Sequence, residues 1–242
     1  MRRFEGKSAV ITGASSDVGR AIALALAREG AQITLVGRDQ AKLEMTSKSV
    51  PGGGKGTQIM AAEFCNAGSL ALLAQTLSRT FDTLDFLVHS AGVFKPAPFA
   101  SASLDDFDTH YQCNVRAPVC ITQALLPGIA ARKGTIVFIN STVVENPRPE
   151  VSFYAASKHA LMAIADCLRQ EVNKDGVRVV SLFLGRTATP MQERISQTEQ
   201  RAYDPSRLVQ PEDVATIVLD ALAAARTVEL TNIHLRPAQP PQ

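Results

Sequence analysis

Tyr154 and Lys158 stand four positions apart in the run Tyr154-Ala155-Ala156-Ser157-Lys158, and Ser141 lies upstream of them. On a helix, residues i and i+4 sit one turn apart on one face. An ammonium held there favours phenolate over phenol and draws the tyrosine pKa down. Such a tyrosine can give a proton to a carbonyl oxygen, or take one from an alcohol in the reverse oxidation. Alone the pair carries little weight, because Tyr-x-x-x-Lys recurs by chance on exposed helices. Its weight comes from a glycine-rich run near the start of the chain.

That run is Thr12-Gly13-Ala14-Ser15-Ser16-Asp17-Val18-Gly19, placed directly after an apolar stretch and before a helical pattern. In that context backbone N–H groups at a helix N-terminus face an anion, as in a dinucleotide phosphate loop. Gly13 makes the tight turn and Gly19 permits close helix packing. The plainer alternative is an ordinary strand-to-helix turn with Ser15, Ser16 or Asp17 as N-cap. After the second apolar run comes Val36-Gly37-Arg38-Asp39. An acid at the end of that strand would bond the adenosine ribose and repel a 2′-phosphate. Gly37 stands there instead, followed by Arg38, whose guanidinium suits phosphate. NADP(H) is therefore expected over NAD(H), with Asp39 capping the next helix.

The elements that must position these residues alternate along the whole chain. Strand-like runs lie near 7–12, 31–36, 57–62, 84–90, 134–140, 177–184 and 232–236, and helical periods near 18–29, 39–48, 67–81, 103–131, 152–173 and 211–225. Seven strands separated by helices predict an α/β fold, a doubly wound parallel sheet with helices on both faces. No repeat or linker divides the pattern, so one domain over 1–242 is expected. Residues 185–210 form a long polar connection of the kind used as an active-site lid. Pro51-Gly52-Gly53-Gly54 reads as a turn, and Arg236-Pro237-Ala238-Gln239-Pro240-Pro241-Gln242 cannot continue a sheet.

Composition narrows the function. Hydrophobic residues make up 45% of the 242, enough for a large core, and the net charge of +2 argues against a nucleic-acid partner. No apolar run approaches bilayer length and the N-terminus lacks the apolar stretch of a signal peptide, so a cytoplasmic location without membrane contact is expected. Cys65, Cys113, Cys120 and Cys167 show no ligand spacing and sit in apolar-periodic segments, which predicts buried reduced thiols. His89, His110, His159 and His234 have no ligand spacing either, and no metal site is assigned.

Five separated motifs together resemble the short-chain dehydrogenase/reductase family, in its single-domain branch, over almost the whole chain. Thr12 to Gly19 is similar to the family's Thr-Gly-x-x-x-Gly-x-Gly loop. His89-Ser90-Ala91-Gly92 resembles its Asn-Asn-Ala-Gly motif, and Asn114-Val115 its catalytic asparagine. Ser141, Tyr154 and Lys158 complete the tetrad. Gly185-Arg186-Thr187-Ala188-Thr189-Pro190-Met191 resembles the loop that holds the nicotinamide carboxamide. The departures are Asp17 for the middle glycine, His89 for asparagine, Leu184 for proline, and Ala62-Glu63-Phe64 in place of the Asp-Val pair that contacts adenine.

The resemblance implies a Rossmann fold and an NADP(H)-dependent oxidoreductase acting on a small or medium ketone, aldehyde or alcohol. It implies cofactor contacts from Gly13, Ser15, Ser16, Asp17, Val18, Gly19, Arg38, Glu63, Phe64, Ser90, Ala91, Gly92, Gly185, Thr187 and Thr189, with Tyr154 and Lys158. Tyr154 would donate the proton, Ser141 would bond the substrate oxygen, and Lys158 would lower the tyrosine pKa and bond the nicotinamide ribose. Asn114 would link Lys158 to solvent through its backbone carbonyl and a water. Pocket walls are expected from Phe94, Val143, Val144, Phe153, Met191 and Tyr203, with Glu145, Asn146 and Arg148 as polar contacts. Arg148 reads either as a carboxylate contact or as a solvated charge between two prolines. The helices near 103–131 and 152–173 carry a second apolar face, which with the resemblance implies a homodimer or homotetramer. The competing reading is a cofactor-sensing regulator or scaffold without turnover.

Overall fold

The computed structural model describes residues 2–239. Each of the seven apolar runs forms a strand: β1 Ser8–Thr12, β2 Gln32–Gly37, β3 Gln58–Ala61, β4 Phe86–His89, β5 Thr135–Ser141, β6 Arg178–Leu184 and β7 Asn232–Leu235. They pair in the order β3-β2-β1-β4-β5-β6-β7, every pair parallel. Strands covered on both faces must be apolar on both, and they are. Ala9 and Ile11 of β1 join one core while Val10 joins the other, and Val137 and Ile139 oppose Ile136 and Phe138 on β5.

The helices are α1 Asp17–Arg28, α2 Gln40–Lys48, α3 Ala67–Thr80, α4 Leu104–Tyr111, α5 Ala117–Arg132, α6 Ser152–Val172, α7 Pro190–Thr198 and α8 Pro211–Ala223. α1 and α8 supply one core through residues such as Ile22, Leu26, Val214 and Val218. α3, α5 and α6 supply the other through Leu77, Ile121, Leu125 and Leu161. The chain reverses direction across the sheet between β1 and β4. At that switch point the loops leaving the carboxyl ends of the strands part and open a crevice.

Two segments differ from the expectation. The single helix expected over 103–131 is divided by a π turn, Gln112–Arg116, between α4 and α5. The long connection at 185–210 contains α7 and a 3₁₀ turn at Pro205–Arg207. Thr189 caps α7 by accepting a hydrogen bond from Gln192 N at 3.2 Å, and Pro190 follows as its first residue, which is a sequence-level helix start. Asp39 caps α2 as expected, accepting from Lys42 N at 3.1 Å.

Of the four thiols only Cys113 is buried; Cys65 and Cys120 are half-buried and Cys167 is exposed, so the burial expected for all of them fails. β7 ends at Leu235 and residues 236–239 carry no strand; Pro240, Pro241 and Gln242 lie outside the described residues. Phe99, Leu104, Phe107 and Tyr111 are exposed, and Phe153 on α6 packs against Phe99 and Phe107. Among the described residues no helix is long and apolar enough to cross a membrane.

Candidate active site

The phosphate-loop geometry follows from two glycines. Gly13 has φ +70°, and a Cβ there would sit 2.7 Å from the backbone nitrogen of Ala91. A Cβ on Gly19 would overlap the carbonyl oxygen of Gly13. Gly19 therefore lets α1 close on its own entry loop, rather than on the sheet alone. Ser16 is the N-cap position of α1 but its side chain makes no capping hydrogen bond. The first-turn N–H groups are left without a side-chain acceptor, the state in which a helix start receives an anion. The residues fit a dinucleotide pyrophosphate. Asp17 stands at φ +40°, the left-handed region that favours the glycine it replaces in the family motif. Burial pushes its carboxyl upward, opposed by the charges of Lys42 and Arg194.

At the far end of the same crevice, Arg38 is exposed and makes a long ion pair with Glu63, 3.8 Å. Lys42 pairs equally loosely with Asp39, 3.8 Å. A Cβ on Gly37 would press on Ser15 Oγ at 3.0 Å, so a larger residue there would crowd the loop. Glu63 accepts a hydrogen bond from Cys65 N, and Phe64 is buried. Lys42 is a second cation at this end that sequence reasoning did not single out.

Ser141, Tyr154 and Lys158 meet where β5 ends and α6 begins. Asn140 ties the two elements: its amide donates to Lys158 O at 3.2 Å and its Oδ1 accepts from Ser141 N at 2.8 Å. Ser141 Oγ accepts from Val143 N at 3.2 Å, so the serine caps the following turn as well as facing the crevice. Tyr154 sits edge-on to Phe94, with ring centroids 5.0 Å apart. Lys158 Nζ donates to Ile139 O at 3.0 Å and lies 5.9 Å from the Tyr154 ring centroid. Burial pushes the lysine down to about 8, since a low-dielectric site disfavours the ammonium.

The tyrosine departs from expectation. Burial raises its pKa, and the groups that pull it back are Ser141, by a hydrogen bond, and Arg148, by charge. The lysine head is turned to the Ile139 carbonyl. Asn114 is fully buried in the π turn. Its Oδ1 accepts from Val93 N at 2.8 Å, and its amide donates to Val93 O and to Ser157 Oγ at 3.1 and 3.0 Å. The side chain thus pins the strand exit to α6. His89 is also buried, 2.9 Å from Thr122 Oγ1 through Nε2 and stacked on Phe138. Burial pushes it down to about 3, so it is neutral.

Most of these groups border one cavity of about 1590 Å³, with His89 behind it. Among the expected site residues, only Gly19 and Asn114 are set behind its wall. Gly13, Ser15, Ser16, Asp17, Val18, Arg38, Glu63, Phe64, Ser90, Ala91, Gly92, Ser141, Tyr154, Lys158, Gly185, Thr187 and Thr189 line it. Phe94, Val143, Met191, Asn146 and Arg148 line it too. Val144, Glu145, Phe153 and Tyr203 do not. Phe153, next to Tyr154 on α6, packs on Phe107 instead, and Glu145 turns to His234 at 3.0 Å. On the lid side, Thr187 bridges to Val209. Glu199, just past α7, bonds Arg148 and Arg186, each at 2.6 Å. Sequence reasoning missed Arg186 and Glu199 as a pair, since nothing local links them. Among the described residues no group of three or more His, Cys, Asp or Glu could hold a metal.

Comparison with known proteins agrees with this geometry. The sequence model of the short chain dehydrogenase family matches residues 7–200. An uncharacterized oxidoreductase of Staphylococcus haemolyticus is 27% identical over 238 residues, covering 98% of this chain and all of that protein. A short chain dehydrogenase of Shigella flexneri complexed with NADP superposes with a TM-score of 0.87 at 28% identity, covering 96% of this chain and 98% of that one. One from Escherichia coli CFT073 complexed with NADPH gives a TM-score of 0.86 at 28% identity, over the same shares of the two chains.

Proposed function

The chain belongs to the short-chain dehydrogenase/reductase family and is an NAD(P)-dependent oxidoreductase of that family, and from this premise we propose that it uses NADP(H) to reduce a small or medium ketone or aldehyde. The observation that carries this reading is the convergence of Ser141, Tyr154 and Lys158 on the cavity that also contains the Gly13 loop.

In the proposed reaction the phenol of Tyr154 gives its proton to the substrate carbonyl oxygen. Its upward-shifted pKa keeps it in the donor form, which suits reduction. Ser141 Oγ donates to the same oxygen and stabilises the charge that develops on it. When bound, NADPH supplies the hydride to the carbonyl carbon. Lys158, near 8, can return a proton to Tyr154 at neutral pH, with the backbone carbonyl of Asn114 as the proposed onward link to solvent. The loop from Gly13 to Gly19 would hold the pyrophosphate, Ser90 to Gly92 and Glu63 with Phe64 the adenosine side, and Gly185, Thr187 and Thr189 the nicotinamide side. Arg38, with no acid at position 37, favours a 2′-phosphate, as do NADP and NADPH in the Shigella and Escherichia proteins.

Replacing Tyr154 with Phe tests the reaction. The expected result is a loss of NADPH-dependent carbonyl reduction of at least about a thousandfold, with NADPH affinity within about twofold. Unchanged turnover would remove Tyr154 from the chemistry. The same reading takes residues 1–242 as one domain, supported by a sheet that draws strands from both ends of the chain. It also takes the protein as a cytoplasmic homodimer or homotetramer. The exposed apolar face of α4 with Phe153 supports the oligomer, and a monomeric mass at micromolar concentration would contradict it.

A further inference from the structure

Arg148 leaves the segment after Ser141, and Arg186 leaves β6 one residue before Thr187; both line the cavity that contains Tyr154. Their guanidinium groups converge on one carboxylate. Arg148 Nη1 holds Oε1 of Glu199 and Arg186 Nη2 holds Oε2, each at 2.6 Å. Arg201 stands farther off, 3.9 Å from the same group and half exposed. One carboxylate with an oxygen on each of two arginines is the arrangement in which carboxylates are recognised with defined orientation.

The charge at this place is unbalanced. Three arginines face a single glutamate, and the nearest other acids by chain position are engaged elsewhere or exposed. Glu145 pairs with His234, and Glu150 and Glu193 are exposed. Glu199 is also weakly tethered. α7, which ends just before it, buries only the polar Gln192 and Ser196, while Met191 and Ile195 are half-buried. The ion pairs add to the few contacts that hold this helix over the crevice. Exchanging one carboxylate for another at the two arginines leaves their charge satisfied and releases α7 at small cost. Arg148 is also near enough to Tyr154 for its charge to favour the phenolate, which sets this site beside the reacting centre.

We infer that Arg148 and Arg186 form a recognition site for a substrate carboxylate, that Glu199 occupies it in the free protein, and that the carbonyl substrate carries an acid group that displaces Glu199 and frees the α7 lid. This rests on the carbonyl-reductase reading above for the word substrate, but the anion site stands on the arginine geometry alone.

The test is calorimetric titration of the 242-residue chain, free of cofactor, with pyruvate, acetoacetate and levulinate, which space the acid at increasing distance from the carbonyl, each beside its methyl ester. At least one acid is expected to bind about tenfold or more tightly than its ester. Glu199→Gln should tighten that acid about fivefold or more and leave the ester unchanged. Arg148→Met and Arg186→Met should each abolish the preference, with circular dichroism reporting an intact fold. Equal binding of acid and ester in Glu199→Gln, no acid bound by that variant, or no gain over the unaltered protein would overturn the inference. NADPH oxidation by the bound acid is followed separately. Binding without oxidation strikes the reductase reading and leaves the anion site in place.

Discussion

The two ends of the crevice are built by different means. At the loop between β1 and α1 the shape is set by backbone contact, with Gly13 against Ala91 and Gly19 against Gly13. At the lid the shape is set by charge, with Glu199 between Arg148 and Arg186 and no apolar residue of α7 fully buried. Close packing of backbone tolerates no added atom, whereas an ion pair near solvent contributes little and can be exchanged or screened. A fixed end suits a cofactor common to a family, and an exchangeable end suits a substrate particular to one member.

The largest effect should come from adding atoms at the fixed end. Gly13→Val places a branched side chain at φ +70° and within 3 Å of Ala91 and Ser90 backbone. We expect a loss of about 2–4 kcal/mol in stability and at least about a hundredfold in NADPH affinity, read by thermal melts and titration. Near-normal binding would break the comparison, since the loop would then be deformable.

The buried His89 behind that end gives a pH signature. Its folded pKa, near 3, lies below the ordinary value of 6.5, so the unfolded chain binds the extra proton between the two. Its contribution is present above about pH 6.5 and is lost as pH falls toward 3, on the order of 5 kcal/mol at the acid limit. Denaturant unfolding from pH 7 to 4 should show a steeper fall for the native protein than for His89→Asn. Equal slopes would mean that the site hydrates.

Smaller effects separate the ends further. Raising ionic strength to about 0.5 M should speed amide hydrogen exchange in α7 about threefold while leaving residues 13–19 unchanged. Uniform acceleration would erase the distinction. Asp17→Gly relieves a left-handed backbone worth about 1 kcal/mol but adds unfolded-state entropy, so melting should shift by only about 1 °C. NADPH should bind about threefold more tightly without the carboxylate, and weaker binding would mean that Asp17 assists the cofactor.

These differences also explain what was legible in the sequence. Strands β1 to β7 and the Gly13 loop were readable because packing on both faces and positive φ leave marks within a few adjacent residues. The coming together of Ser141, Tyr154 and Lys158 was readable as a pattern along the family, while their electrostatics were not. The upward shift of Tyr154 depends on burial, opposed by Ser141 and Arg148, and burial is not local. The π turn around Asn114 carries no side-chain signature of its own. The Thr189-Pro190 start of α7 was local and was passed over inside a polar stretch. The Arg148–Glu199–Arg186 contact joins residues distant in the chain whose types are common on any surface. Phe153 was expected in the pocket wall as part of the segment after Ser141, but on α6 it points about 100° away from its neighbour Tyr154.

The most direct measurement is a nicotinamide-fluorescence titration of the purified protein with NADPH beside NADH. The account predicts saturable binding of both, with NADPH about tenfold or more tighter through Arg38. Binding of neither would contradict it, because the loop fixed by Gly13 and Gly19 would then hold no dinucleotide.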